Sequence, residues 1–151
     1  MNSLFGIITI LLVCILNIHA TTNLNNASKI KACYKNKICF NLEHANTKEK
    51  RKKGLMHIKK LPHNQGMIFS WEKQQIISMW MKNTYIPLDM LWLNSNYQIV
   101  CVKENTVPFD LTPINCAKKA NYVIEVNAGI INQYKIKKKK NFKLSIISEQ
   151  Q

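Results

Sequence analysis

Acidic side chains are scarce: 8 Asp and Glu stand against 22 Lys and Arg, leaving a formal net charge of +14. Arginine is scarcer still, since every basic residue except Arg51 is lysine. Lysine has no bidentate fork for phosphate or base edges, so a nucleic-acid partner is not expected from charge alone. Lys, Asn and Ile are all abundant, as the codon usage of an AT-rich genome produces. Other absences narrow the chemistry. No Ser stands in a Gly-x-Ser-x-Gly elbow. His57 and His63 have no His, Cys or carboxylate at the i+4 spacing of a zinc motif, so neither a metal nor a cofactor is expected. No internal repeat is present, and the single low-complexity piece is Lys137-Lys138-Lys139-Lys140.

Residues 1–20 also lack Lys, Arg, Asp and Glu, and from Leu4 to Ile18 they are nearly continuous apolar sequence ending at Ile18-His19-Ala20. That is the layout of a cleavable secretory signal, although Met1-Asn2-Ser3 offers just the α-amino group where a basic residue is usual. Cys14 follows Val13 rather than a small residue, which argues against a lipid-modified cysteine. The apolar run falls short of the ~20 residues that cross a bilayer, and no later run reaches that length, so the mature chain is expected to have no transmembrane span. The expected product is exported to the periplasm or secreted. Thr21 to Ser28 is polar and reads as a flexible leader, and residues 29–151 as one domain. Removing the signal leaves 131 residues, enough to bury roughly two-thirds of the unfolded surface.

Export sets the fate of the cysteines. Cleavage removes Cys14 and leaves an even four, Cys33, Cys39, Cys101 and Cys116, in a compartment that permits oxidation. Four cysteines allow three pairings. Cys33 with Cys39, symmetric about Asn36, and Cys101 with Cys116 are favoured, against the alternative of free thiols. The second bridge would contribute about 3 kcal/mol in a chain-entropy model.

Beyond the leader, Ile38, Phe40 and Leu42 alternate with Cys39, Asn41 and Glu43, the period of a half-buried strand. Thr47 is placed to cap a short helix that runs to about Met56, with a lysine-rich outer face and Gly54 near its end. Strand-length apolar runs follow at Met67–Phe69, Ile76–Met81, Met90–Leu93, Gln98–Val102, Tyr122–Val126 and Phe142–Ile147, with turn residues between them. Ala128 to Tyr134 can add a helical turn. This spacing predicts a mainly β fold, either a small antiparallel sandwich or a partly open barrel, with one or two short helices.

Four ordered segments carry a more specific signal: Gly54-Leu55-Met56, Gly66-Met67-Ile68-Phe69, the run from Met79-Trp80-Met81-Lys82-Asn83-Thr84 to Pro87-Leu88-Asp89-Met90, and Tyr122 to Gly129. Together they make the chain resemble the domain of unknown function 192 family from about Ile38 to Ile147. The resemblance implies a compact, mainly β domain often found behind a signal peptide, and it implies no activity. Two positions depart from the family pattern. Ile58 stands where an Arg is usual, and Lys139-Lys140 where a Gly-Asp turn is common.

The candidate site rests on two carboxylates inside apolar sequence, Asp89 and Glu125. A charge there must point outward or find a partner, because burying it alone costs several kcal/mol. A purely supporting role would have Asp89 cap the turn from Asn83 to Pro87 and Glu125 pair with a lysine. A functional role would gather Trp80, Lys82, Asn83, Asp89 and Glu125 around one pocket for a small polar or carbohydrate-like ligand. The methionines are expected to be adaptable core. The leading expectation is a non-catalytic binding module of the cell envelope. A hydrolase using Asp89 and Glu125 as acid and base is the alternative, and a lysine-rich binder of anionic envelope polymers a third. Small Ala20 closes the apolar run before polar Thr21, so the exported protein should begin at Thr21. N-terminal sequencing checks this, and an intact Met1 on a membrane-bound product would refute it.

Overall fold

The computed structural model describes residues 24–147. Residues 1–20, expected from sequence to be a signal segment, lie outside them. Seven strands form one sheet: β1 (Lys29–Tyr34), β2 (Ile38–Ala45), β3 (Gln65–Ile76), β4 (Leu88–Leu93), β5 (Ile99–Lys103), β6 (Lys119–Asn127) and β7 (Phe142–Ile146). The helices are α1 (Lys48–Lys53) and α2 (Ile130–Gln133). Strand order is β5-β4-β6-β3-β2-β1-β7, and all neighbours are antiparallel except β2 and β3. The sheet curls until its edges approach. A Gln98–Asn141 bridge and hydrogen bonds from Lys139 and Phe142 to residues 97–99 join the β5 end to the β7 end. Of the two forms expected from sequence, this is the partly open barrel.

Parallel pairing of β2 with β3 requires a crossover, and residues 46–64 supply it with α1 inside. Thr47 caps α1 by accepting from the Lys50 amide, and Gly54 ends it with φ 48°. No residue of α1 is buried. What anchors the crossover is the turn after it, where Leu55 enters the core. Gly66, at the start of the GMIF segment, is required by close approach: a Cβ there would run into the Glu125 carbonyl oxygen and crowd Leu42. The glycine therefore lets β3 lie against β6.

Interior strand β4 is buried at every position, so both faces of the sheet are covered there. Leu91 and Leu93 pack inside the curl with Phe40, Ile68 and Phe142, whereas Leu88, Met90 and Trp92 pack on the other face with Phe69, Met79 and Met81. Five methionines had been expected as core. Met79, Met81 and Met90 are buried, and Met56 and Met67 are half-buried.

Three local readings differ from the structure. The Ile76–Met81 run is not a strand of its own, since β3 ends at Ile76 and Met79 alone bridges to Ile114. Leu24 to Ser28, read as leader, forms a short 3-10 turn (Leu24–Asn26) whose Leu24 and Ala27 pack on the inner core. The Cys33–Cys39 disulfide joins directly paired residues of β1 and β2, as expected. Cys101 and Cys116, by contrast, are free, half-buried neighbouring thiols. Burial, then the neighbouring Cys101 thiol, pushes the Cys116 thiol up to about 12. Alkylation in denaturant without reductant should label Cys101 and Cys116 and leave Cys33 and Cys39 blocked. A peptide joining Cys101 to Cys116 would instead restore the second bridge.

Candidate functional site

The two carboxylates that sequence placed together are separated by strand parity. Asp89 of β4 pairs with Val126 of β6, and Met90 pairs with Glu125, so Asp89 and Glu125 project to opposite faces of the sheet. Asp89 turns toward the inner core side and is fully buried. Its Oδ1 accepts from the Asn105 amide at 2.9 Å and its Oδ2 from the Ile131 amide at 2.8 Å. Beside it, the Thr106 hydroxyl accepts from the Leu88 amide and donates to the Leu88 carbonyl. Asp89 thus ties β4 to the loop after β5 and to the first turn of α2. It neither caps the Asn83–Pro87 turn nor contacts Lys82, because its neighbours are fixed by the inner face.

Glu125 is the opposite case. It is 4% exposed, its paired neighbours across the strands are Met67 and Met90, and it makes no hydrogen bond or ion pair among the described residues. The expected lysine partner is missing because the nearby cations sit at the surface rather than on this sheet face. Burial pushes the Glu125 carboxyl up to about 8, so it is mostly neutral at pH 7.

The carboxyl faces a cavity of about 320 Å³. Leu55, Met56, Phe69, Trp71, Met79 and Trp80 supply apolar wall, and Lys48, Arg51, Lys52, Lys53 and Lys82 supply cations. Trp80 is 41% exposed, and the Lys82 ammonium lies 5.3 Å from its ring centroid. Arg51 is held rigidly. It donates to the Asn46 and Ser70 carbonyls at 2.8 and 2.9 Å and stacks over Trp71 at 5.2 Å. Asn83 takes a left-handed turn (φ 52°), its carbonyl accepts from the His57 amide, and it lines a shallower neighbouring recess that shares Trp80 and Lys82. Of the five candidates, Trp80, Lys82 and Glu125 meet in one cavity, Asn83 stands at its edge, and Asp89 is elsewhere.

Sequence reasoning missed the contribution of α1. Its signal was a helix polar on every side, whose cations were read as a solvated face. A second buried polar pair also escaped notice. His44 Nδ1 binds the Ala27 carbonyl at 2.9 Å and Nε2 meets the Ser70 hydroxyl at 2.8 Å, and burial, the largest influence, lowers the His44 pKa. No group of three His, Cys, Asp or Glu among the described residues is placed to hold a metal ion.

The family model for DUF192, described as Uncharacterized ACR, matches residues 30–144. The chain belongs to this family. The DUF192 domain is also similar to two solved structures. One is a protein of unknown function from Novosphingobium aromaticivorans, 30% identical with a TM-score of 0.69, covering 78% of this chain and 83% of that one. The other is a candidate transcription regulator from Sinorhizobium meliloti, also 30% identical, with a TM-score of 0.68 and coverage of 78% and 92%. No curated protein matches the chain. At the two departures from the DUF192 pattern, Ile58 is an exposed side chain, and Lys139 adopts φ 64°, the left-handed geometry that Gly takes without strain.

The two titratable groups act in opposite pH ranges. The Glu125 pKa is raised above its unfolded value near 4.5, so its contribution to stability is full below that pH and is lost as pH rises toward 8. The His44 pKa is lowered from 6.5, so its contribution is full above that pH and is lost as pH falls through its folded value. Glu125→Gln keeps the shape and removes the first titration. Urea unfolding should show the variant gaining on the wild type from pH 5 to pH 8, by roughly 3 to 4 kcal/mol. A constant difference across that range would refute the buried, unpaired state of Glu125.

Proposed function

We propose that this DUF192 domain is a non-catalytic binding module that takes a small polar ligand into the cavity between Trp80, Lys82 and Glu125. The observation that carries the reading is the Glu125 carboxyl, buried without a partner at a cavity wall. Leaving such a group unsatisfied costs about 1–3 kcal/mol, and a ligand that hydrogen-bonds to it recovers that energy. An exposed aromatic ring beside an ammonium group offers a stacking surface and a charge to the same ligand.

Catalysis by paired carboxylates is the weaker reading. A glycoside hydrolase needs two carboxyls across one cleft, and the second one here has both oxygens engaged on the far face of the sheet. An electrostatic binder of anionic polymers would gather its lysines on one surface. Here the backbone of Lys139 and Lys140 bonds to β5, apart from the α1 lysines that flank the cavity, so that reading is also weaker. The apolar run from Leu4 to Ile18 and the Cys33–Cys39 disulfide support work outside the cytoplasm, in the cell envelope or beyond it.

A thermal-unfolding screen of small polar compounds against the purified protein tests the binding reading. A hit should raise the midpoint of the wild type. Trp80→Ala and Lys82→Ala should keep the unligated midpoint within a few degrees and lose the ligand-induced rise. A hit whose effect survives both substitutions would place binding elsewhere and refute this site.

A further inference from the structure

Resting on the binding reading above, we infer that the ligand is a small organic anion, with its acidic head among Lys48, Lys52, Lys53 and Lys82 and an apolar body against Trp80 and Met79 toward Glu125. Charge balance at the cavity carries the argument. Five cations line it, and Glu125 is the one carboxylate that does. Among the described residues the sole ion pair is Lys29–Glu43, so the five cations around this cavity stand in excess over Glu49, an exposed acid of α1 near Lys48 and Arg51 that forms no ion pair with them. Arg51 is already committed to two carbonyls and to Trp71, which makes it a fixed positive wall rather than a mobile surface charge. The wall between the charges and Glu125 is aromatic and thioether, which suits a ring or a short acyl chain rather than a fully hydroxylated sugar.

Glu125 then decides which end of the ligand goes in. Its cross-strand neighbours on β3 and β4, Met67 and Met90, carry no charge, and the charged groups that share its cavity are the four on α1 and Lys82. A neutral carboxyl accepts the uncharged end of an anion and can donate a hydrogen bond to it. An ionised one repels the same molecule. Anion binding should therefore weaken as Glu125 loses its proton at alkaline pH, whereas a pocket built for a cation would bind more tightly under the same change.

Three probes with one ring and different charges separate these cases: benzenesulfonate, whose charge is constant with pH, neutral benzyl alcohol, and cationic benzylamine. In calorimetric titrations of the purified protein at pH 6.5, benzenesulfonate should bind at least about tenfold more tightly than benzyl alcohol. The double variant Lys52→Gln/Lys82→Gln should lose most of that advantage, and Lys143→Gln on β7 should keep it. Between pH 6.5 and 9 wild-type affinity for benzenesulfonate should fall several-fold, and Glu125→Gln should flatten that fall. Benzylamine or benzyl alcohol binding as well as or better than benzenesulfonate, with loss in Trp80→Ala, would overturn the anion inference and leave the binding site standing. Heat from no probe at millimolar concentration would overturn both. Equal loss in Lys143→Gln would mark the effect as net charge alone and overturn the inference.

Discussion

The carboxylate of Asp89 is the constraint on which the domain depends. It is a charge with no contact to water, held in the middle of the sheet because two backbone amides, from Asn105 and Ile131, donate to it. Those amides belong to segments that would otherwise be loose: the loop that leaves β5 and the short helix α2 that follows β6. A single side chain thereby fixes the positions of two connections around β4. Removing its charge while leaving the amides buried would leave two donors poorly satisfied, which is why such a buried charge is stable as part of a set and not alone. Thr106 reinforces the same junction by bonding the Leu88 backbone through both its hydroxyl and its amide.

Glu125 sits one strand away and one residue out of phase, and the contrast between the two acids is informative. Asp89 has every oxygen engaged and contributes to the architecture. Glu125 has none engaged, lies between methionines, and faces a hollow rimmed by lysine. An acid that supported the fold would be expected to resemble the first. The second has the character of a group whose partner arrives from outside.

Much of the architecture was legible because it is written in short-range patterns. Thr47 and Gly54 bracket α1 through hydrogen bonds that span three or four residues, and the alternation of Ile38, Phe40 and Leu42 gives the buried face of β2 directly. The hairpin disulfide was legible for the same reason, since Cys33 and Cys39 are close in sequence and directly paired. What failed involved distant registers. Whether Asp89 and Glu125 share a face depends on the pairing of strands 36 positions apart, and neither strand alone carries that information. Lys29–Tyr34, which puts lysine or half-buried Cys33 on one face and Ile30, Ala32 and Tyr34 on the other, has too few large apolar residues to stand out. The polar stretch Glu72–Gln75 hid the length of β3. The role of the α1 cations was invisible because it depends on where a crossover lays its helix, a tertiary fact that no residue of α1 encodes by burying itself.

The pairing of β1 with β7 sets a property of the chain as a whole. Ile30 lies opposite Ile146 in an antiparallel register, so the two ends of the folded barrel leave from the same place, side by side. In polymer terms the domain is already almost a ring. A short tether between those ends would close it at little entropic expense, and the chain could be reopened in an exposed turn without altering the strand order. Any neighbour fused at one end would be held close to a neighbour fused at the other, which makes the barrel a compact clamp between two attachments and not a spacer that holds them apart.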